Sequence, residues 1–114
     1  MAAGALVALH GGSGKAIVHA AAMAIKNLLG LVCDPVAGLV EVPCVKRNVV
    51  GAMNALASAD MALAGIESRI PPDQVIDAMK DVGDQMNTSL KETGIGGLAG
   101  TPFGKEVAEN FLGK

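Results

Sequence analysis

Between Leu31 and Val45 the chain carries both of its cysteines and two of its five prolines. Pro35 and Pro43 each lack a backbone donor and restrict the residue before them, so no helix runs through this stretch. The sequence on both sides is helical in pattern. Residues 31–45 are therefore a long non-helical connection between helices, and the rest of the fold has to be arranged around it. Ala and Gly supply 34 of the 114 residues, while Trp and Tyr are absent. Such a core gains stability from many small, closely approaching surfaces, which suits helices and fits a β-sandwich badly.

The helical pattern resolves into four or five segments. Residues 2–10 read as a short helix, or the tail of a longer one, that Met1 enters without a capping side chain. Gly11-Gly12-Ser13-Gly14 breaks it, and Ser13 is placed to cap a second helix running to about residue 29. A third helix spans about 46–66. Val49, Met53, Leu56 and Leu63 fall on one arc of it with Asp60, and Arg47, Gly51, Asn54, Ser58 and Gly65 form a small, polar stripe opposite. That stripe is read as close packing or solvent exposure before a site-facing surface. Pro72 and Asp73 start a fourth helix, whose apolar side is Val75, Ile76, Met79, Val82 and Met86. A glycine-rich loop, TGIGGLAGTPFG, precedes a terminal helix over 105–112. The expected architecture is an all-α single domain of four to five helices, with the long cysteine loop and a Gly-rich loop near the C-terminus.

Several function classes fall away. Net charge is −2 with scattered basic residues, so nucleic acid and anionic membranes find no electrostatic footprint. The longest uncharged run, 1–14, is shorter than the roughly 20 apolar residues a membrane span needs. No signal peptide is visible, which points to a cytoplasmic chain with reduced thiols. Gly11-Gly12-Ser13-Gly14-Lys15 is followed by Ala16, and Gly100-Thr101-Pro102-Phe103-Gly104-Lys105 by Glu106. Both lack the hydroxyl that a phosphate loop needs for Mg²⁺. His10 and His19 are more simply ordinary histidines, and the internal methionines core filler.

The cysteine loop has no such plain account. Cys33 and Cys44 lack the C-x₂-C pairing of a structural zinc site, and the inferred compartment disfavours a disulfide. Thiolates arriving from a folded loop suit an iron–sulfur cluster, with Val36, Leu39, Val40 and Val42 as walls and Lys46 and Arg47 offsetting negative charge. From spacing alone, buried structural cysteines remain open beside cluster ligands.

The run NLLGLVCDPVAGLVEVPCVKRN (Asn27 to Asn48) closely resembles the signature of the iron–sulfur-dependent L-serine dehydratases, or L-serine ammonia-lyases. KETGIGGLAG (Lys91 to Gly100) resembles the family's C-terminal signature. The similarity covers essentially the whole chain and corresponds to the C-terminal part of the family's α chain or catalytic domain. It implies conversion of L-serine to pyruvate and ammonia, without pyridoxal phosphate, by a [4Fe–4S] cluster held by three cysteines with one iron open. Cys33 and Cys44 match two of those ligands, and the third belongs to a segment N-terminal to Met1. The uncapped apolar start agrees with this, so the chain is expected to be a C-terminal fragment, inactive alone. The resemblance also implies a serine dehydratase β chain or domain as partner in a homo- or hetero-oligomer.

By proximity to the loop, Arg47 is a candidate for the substrate carboxylate and Asn48 for the amine or carboxylate. Helix capping and charge neutralisation are their plainer roles. The general base is not identified, and threonine is not distinguished from serine as substrate. The alternative from another class is a non-catalytic helical fragment or interaction module with an incomplete cluster site.

Overall fold

The computed structural model describes residues 1–113. Among them are five α-helices and no strand, as the all-α reading expects. The helices are α1 (Ala2–Leu9), α2 (Gly14–Asn27), α3 (Cys44–Leu63), α4 (Pro72–Gln85) and α5 (Pro102–Leu112). They belong to two compact units, one of residues 1–30 and 50–84, the other of 31–49 and 85 onward.

In the first unit, α1 starts at Met1 with no side-chain cap. The Ser13 hydroxyl accepts the Ala16 N–H at 3.1 Å and so opens α2, satisfying one of the donors that a helix start leaves unpaired. Helices α1 and α2 pack on each other. Gly4 permits this closeness, since a Cβ there would stand 3.2 Å from the Ile17 Cγ2 methyl. The core is Ala3, Val7, Ala20, Met23, Ala55, Ala59 and Ala62, mostly alanine.

The face that α3 buries here consists of Ala55, Ser58, Ala59 and Ala62. Its larger apolar arc lies outside: Met53 is 60% exposed, Leu56 46% and Leu63 40%. Small side chains let the helix come close, and the polar members of its stripe are satisfied where they pack. Asn54 Nδ2 donates to the Ala24 carbonyl at 2.9 Å, and Asn54 Oδ1 accepts from Asn27 Nδ2 at 2.8 Å. The Ser58 hydroxyl donates to the same oxygen at 3.4 Å. The stripe is packing surface at Asn54 and Ser58, while Gly65 is exposed. In α4, which opens at Pro72 with Asp73 in its first turn, Val75 is buried, whereas Ile76 and Met79 of the expected apolar side are exposed.

The second unit holds the cysteine segment, the first residues of α3, the glycine-rich stretch and α5. Short 3₁₀ turns at Val36–Gly38, Thr88–Leu90 and Gly97–Gly100 replace open loop, and α5 packs against the first and last of them. Helix α5 begins three residues before the expected Lys105. Pro102 takes the first helical position, where its missing N–H costs nothing, and the Thr101 hydroxyl accepts the Gly104 N–H at 3.1 Å. The non-helical connection likewise ends earlier than 45, because Cys44 is already the first residue of α3. No described helix is long and apolar enough to cross a membrane.

Candidate functional site

The cysteine segment is folded back by its own backbone. The Val36 N–H donates to the Val42 carbonyl at 3.0 Å, and the Val45 N–H to the Val40 carbonyl at 3.2 Å. Cys33 is then held from both sides of its peptide. Its N–H donates to Leu90 O at 2.9 Å, and its carbonyl accepts the Glu92 N–H at 2.7 Å. The start of KETGIGGLAG therefore runs alongside Cys33, in the only bridge of parallel β type among the described residues. Two runs that the sequence places far apart become neighbours.

Both thiols are free and half-buried, Cys33 on the loop and Cys44 at the N-terminus of α3. Burial pushes the Cys33 thiol above its ordinary pKa. The negative charges of Glu92, a Cys44 thiolate and Asp34 push the same way, and Arg47 opposes them. Cys44 is thus within electrostatic reach of Cys33.

Asp34 is the residue of this neighbourhood that sequence reasoning missed. It is 2% exposed, the only buried carboxylate among the described residues. Its Oδ1 accepts from Arg47 Nη1 at 2.6 Å, and its Oδ2 accepts the Leu98 N–H at 2.7 Å. Arg47 Nη1 also donates to the Val32 carbonyl at 2.9 Å. Burial alone would raise the Asp34 pKa. The Leu98 amide, the Arg47 hydrogen bond and the guanidinium charge outweigh it, so the carboxyl lies below its ordinary range. The signal available in the sequence was an acid beside Cys33 and a base one helical turn beyond Cys44. Nothing in the pattern alone says that these two meet.

The structure therefore brings Cys33, Cys44 and Arg47 into one neighbourhood. Asn48 follows on α3 and is exposed. The histidines lie elsewhere with ordinary partners: His10 Nδ1 donates to Leu6 O at 2.8 Å, and His19 Nδ1 accepts the Ser68 N–H at 3.0 Å. No three His, Cys, Asp or Glu side chains among the described residues gather closely enough to hold a metal ion. Two thiols could supply part of a cluster's thiolate set, and at least one further ligand would have to come from outside these residues.

A family model described as "Serine dehydratase alpha chain" matches residues 1–99. The chain belongs to this family. It is 61% identical over 113 residues to the "Probable L-serine dehydratase, alpha chain" of Bacillus subtilis (strain 168), covering 99% of this chain and 38% of that protein. The protein of the same name from Latilactobacillus sakei is 59% identical over 114 residues, 100% of this chain and 54% of that one. The "L-serine dehydratase, alpha chain" of Peptoniphilus asaccharolyticus is 54% identical over 112 residues, 98% of this chain and 38% of that one. This serine dehydratase α-chain region thus spans between about two fifths and about half the length of these relatives.

Proposed function

We propose that these residues are the C-terminal part of an L-serine dehydratase α chain, which in its complete form converts L-serine to pyruvate and ammonia. The observation that carries this reading is the pair of free, half-buried thiols, one on a loop closed back on itself and one at the start of α3, with Arg47 bonded to both sequence neighbours of the first and one helical turn beyond the second. Cys33 and Cys44 would be two of the ligands of a [4Fe–4S] cluster, with a third cysteine from outside the 114 residues. When bound, the cluster supplies an open iron site, a Lewis acid that weakens the serine C–O bond.

This chain's residues orient the reaction. Arg47 has Nη1 turned onto Asp34 and Val32, and its remaining N–H groups are assigned to the carboxylate of serine. Asn48, the next residue on α3, holds the substrate amine or carboxylate. The base that removes the α-proton is not assigned to this chain, and the reading gives no role to pyridoxal phosphate. A β chain or domain completes the enzyme as partner, in the cytoplasm.

The test uses the complete α chain prepared without oxygen. Cys33→Ala or Cys44→Ala should abolish bound iron, sulfide, brown colour and serine turnover together. Turnover that survives either change removes that cysteine from the site. At matched cluster content, Arg47→Lys should raise the KM for serine more than it lowers kcat, because a lysine keeps the charge and loses the fork.

A further inference from the structure

Arg47 Nη1 donates to Val32 O at 2.9 Å and to Asp34 Oδ1 at 2.6 Å. Those two acceptors belong to the residues immediately before and after Cys33. A single nitrogen thus grips both sequence neighbours of one thiol. The same arginine stands three residues beyond Cys44, about one helical turn along α3. The other Asp34 oxygen is fixed by the Leu98 N–H at 2.7 Å. That amide comes so near because residue 97 is glycine: a Cβ there would stand 2.3 Å from Asp34 Oδ2. With 2% exposure, Asp34 is closed off from substrate and acts only through what it holds.

We infer that Asp34 is a positioning residue, which through Arg47 and the Leu98 amide sets the spacing between the Cys33 and Cys44 thiols and so makes them a preformed pair of metal ligands. The inference rests on the reading of both cysteines as ligands. A loop thiol and a helix-start thiol would otherwise move independently, and ordering them would have to come out of the binding energy of whatever they grip.

The experiment is a cadmium titration of the metal-free complete α chain, followed by thiolate-to-metal absorbance, with electron paramagnetic resonance of the anaerobically iron-loaded, reduced protein. Asp34→Asn keeps the shape and can still accept from an amide, but it loses the charge that holds Arg47. Its cadmium affinity should fall roughly tenfold or more, the usual scale for a residue that orients metal ligands, with a changed resonance line shape. Arg47→Lys should do the same. The double variant should be no worse than the more damaging single one, since both changes release one brace. Ser13→Ala, which uncaps α2 in the first unit and touches none of the brace residues, is the control. At a matched loss in melting temperature it should leave affinity and line shape as in the parent. Parental affinity in Asp34→Asn, additive losses in the double variant, or a Ser13→Ala change equal to that of Asp34→Asn would each overturn the brace. If Asp34→Asn does not fold, Arg47→Lys against Ser13→Ala makes the same comparison. Cys33→Ala with undiminished affinity would instead sink the ligand reading beneath it, so the two failures are told apart.

Discussion

Gly97 sits at φ +59°, in the left-handed region, with no room for a methyl beside the Asp34 carboxylate. Gly97→Ala meets both objections at once and should cost about 1–3 kcal/mol in urea unfolding. Arg47→Ala should cost about 3 kcal/mol, because it strands a carboxylate that keeps only the Leu98 amide, and an uncompensated buried charge is the expensive part of a broken pair. A pH effect of another kind is expected at Glu67, which pairs with Lys15 at 2.5 Å. The hydrogen bond from Lys15, its charge and that of His19 hold the Glu67 carboxyl below the usual glutamate range. A depressed acid stabilises the fold above its unfolded pKa, and the gain disappears as pH falls through the lower folded value. Both groups are largely exposed, so the effect on stability is small. Carbon-detected NMR titration should place the Glu67 midpoint below that of an ordinary glutamate, and Lys15→Ala should bring it back up.

Helix ends were legible where local chemistry fixes them. Ser13 caps α2 and Pro72 with Asp73 opens α4, as the residue types alone suggest. Replacing the cap in Ser13→Ala or Thr101→Ala should lower stability by about 1 kcal/mol each, read as a drop in melting temperature. The start of α5 was read late because Pro102 can end a loop or begin a helix, and only the Thr101 cap decides. Which side α3 buries could not be read from amphipathicity. Its leucines and methionines suggest one face, yet the close neighbours favour the alanine face, and Asn54 finds partners on α2. Ala59→Leu should therefore destabilise by about 1–3 kcal/mol through overpacking, whereas Leu56→Ala, on the exposed arc, should stay within about 0.5 kcal/mol. Calorimetric melts of the two variants compare these directly. The cysteines were legible for a different reason, since both stand in one short run with its two prolines. Asp34 was not, because its partners lie on separate elements.

At the scale of the molecule, the chain carries two cysteines and spans 38% to 54% of three α-chain relatives. Iron and sulfide added to these 114 residues alone should leave far less of either bound than in the complete α chain, because two thiolates leave the cube short of ligands. A stable brown protein from this chain by itself would contradict that, with iron and sulfide analysis as the measurement. The reach of Asp34 also bears on how the molecule is made. Its amide partner is Leu98, 64 positions further along the chain. At about 5–20 residues per second, a ribosome takes roughly 3 to 13 s to cover that stretch. For those seconds the nascent cysteine segment exists without its far clasp, and on the cluster reading the thiols are braced only once Leu98 has been made.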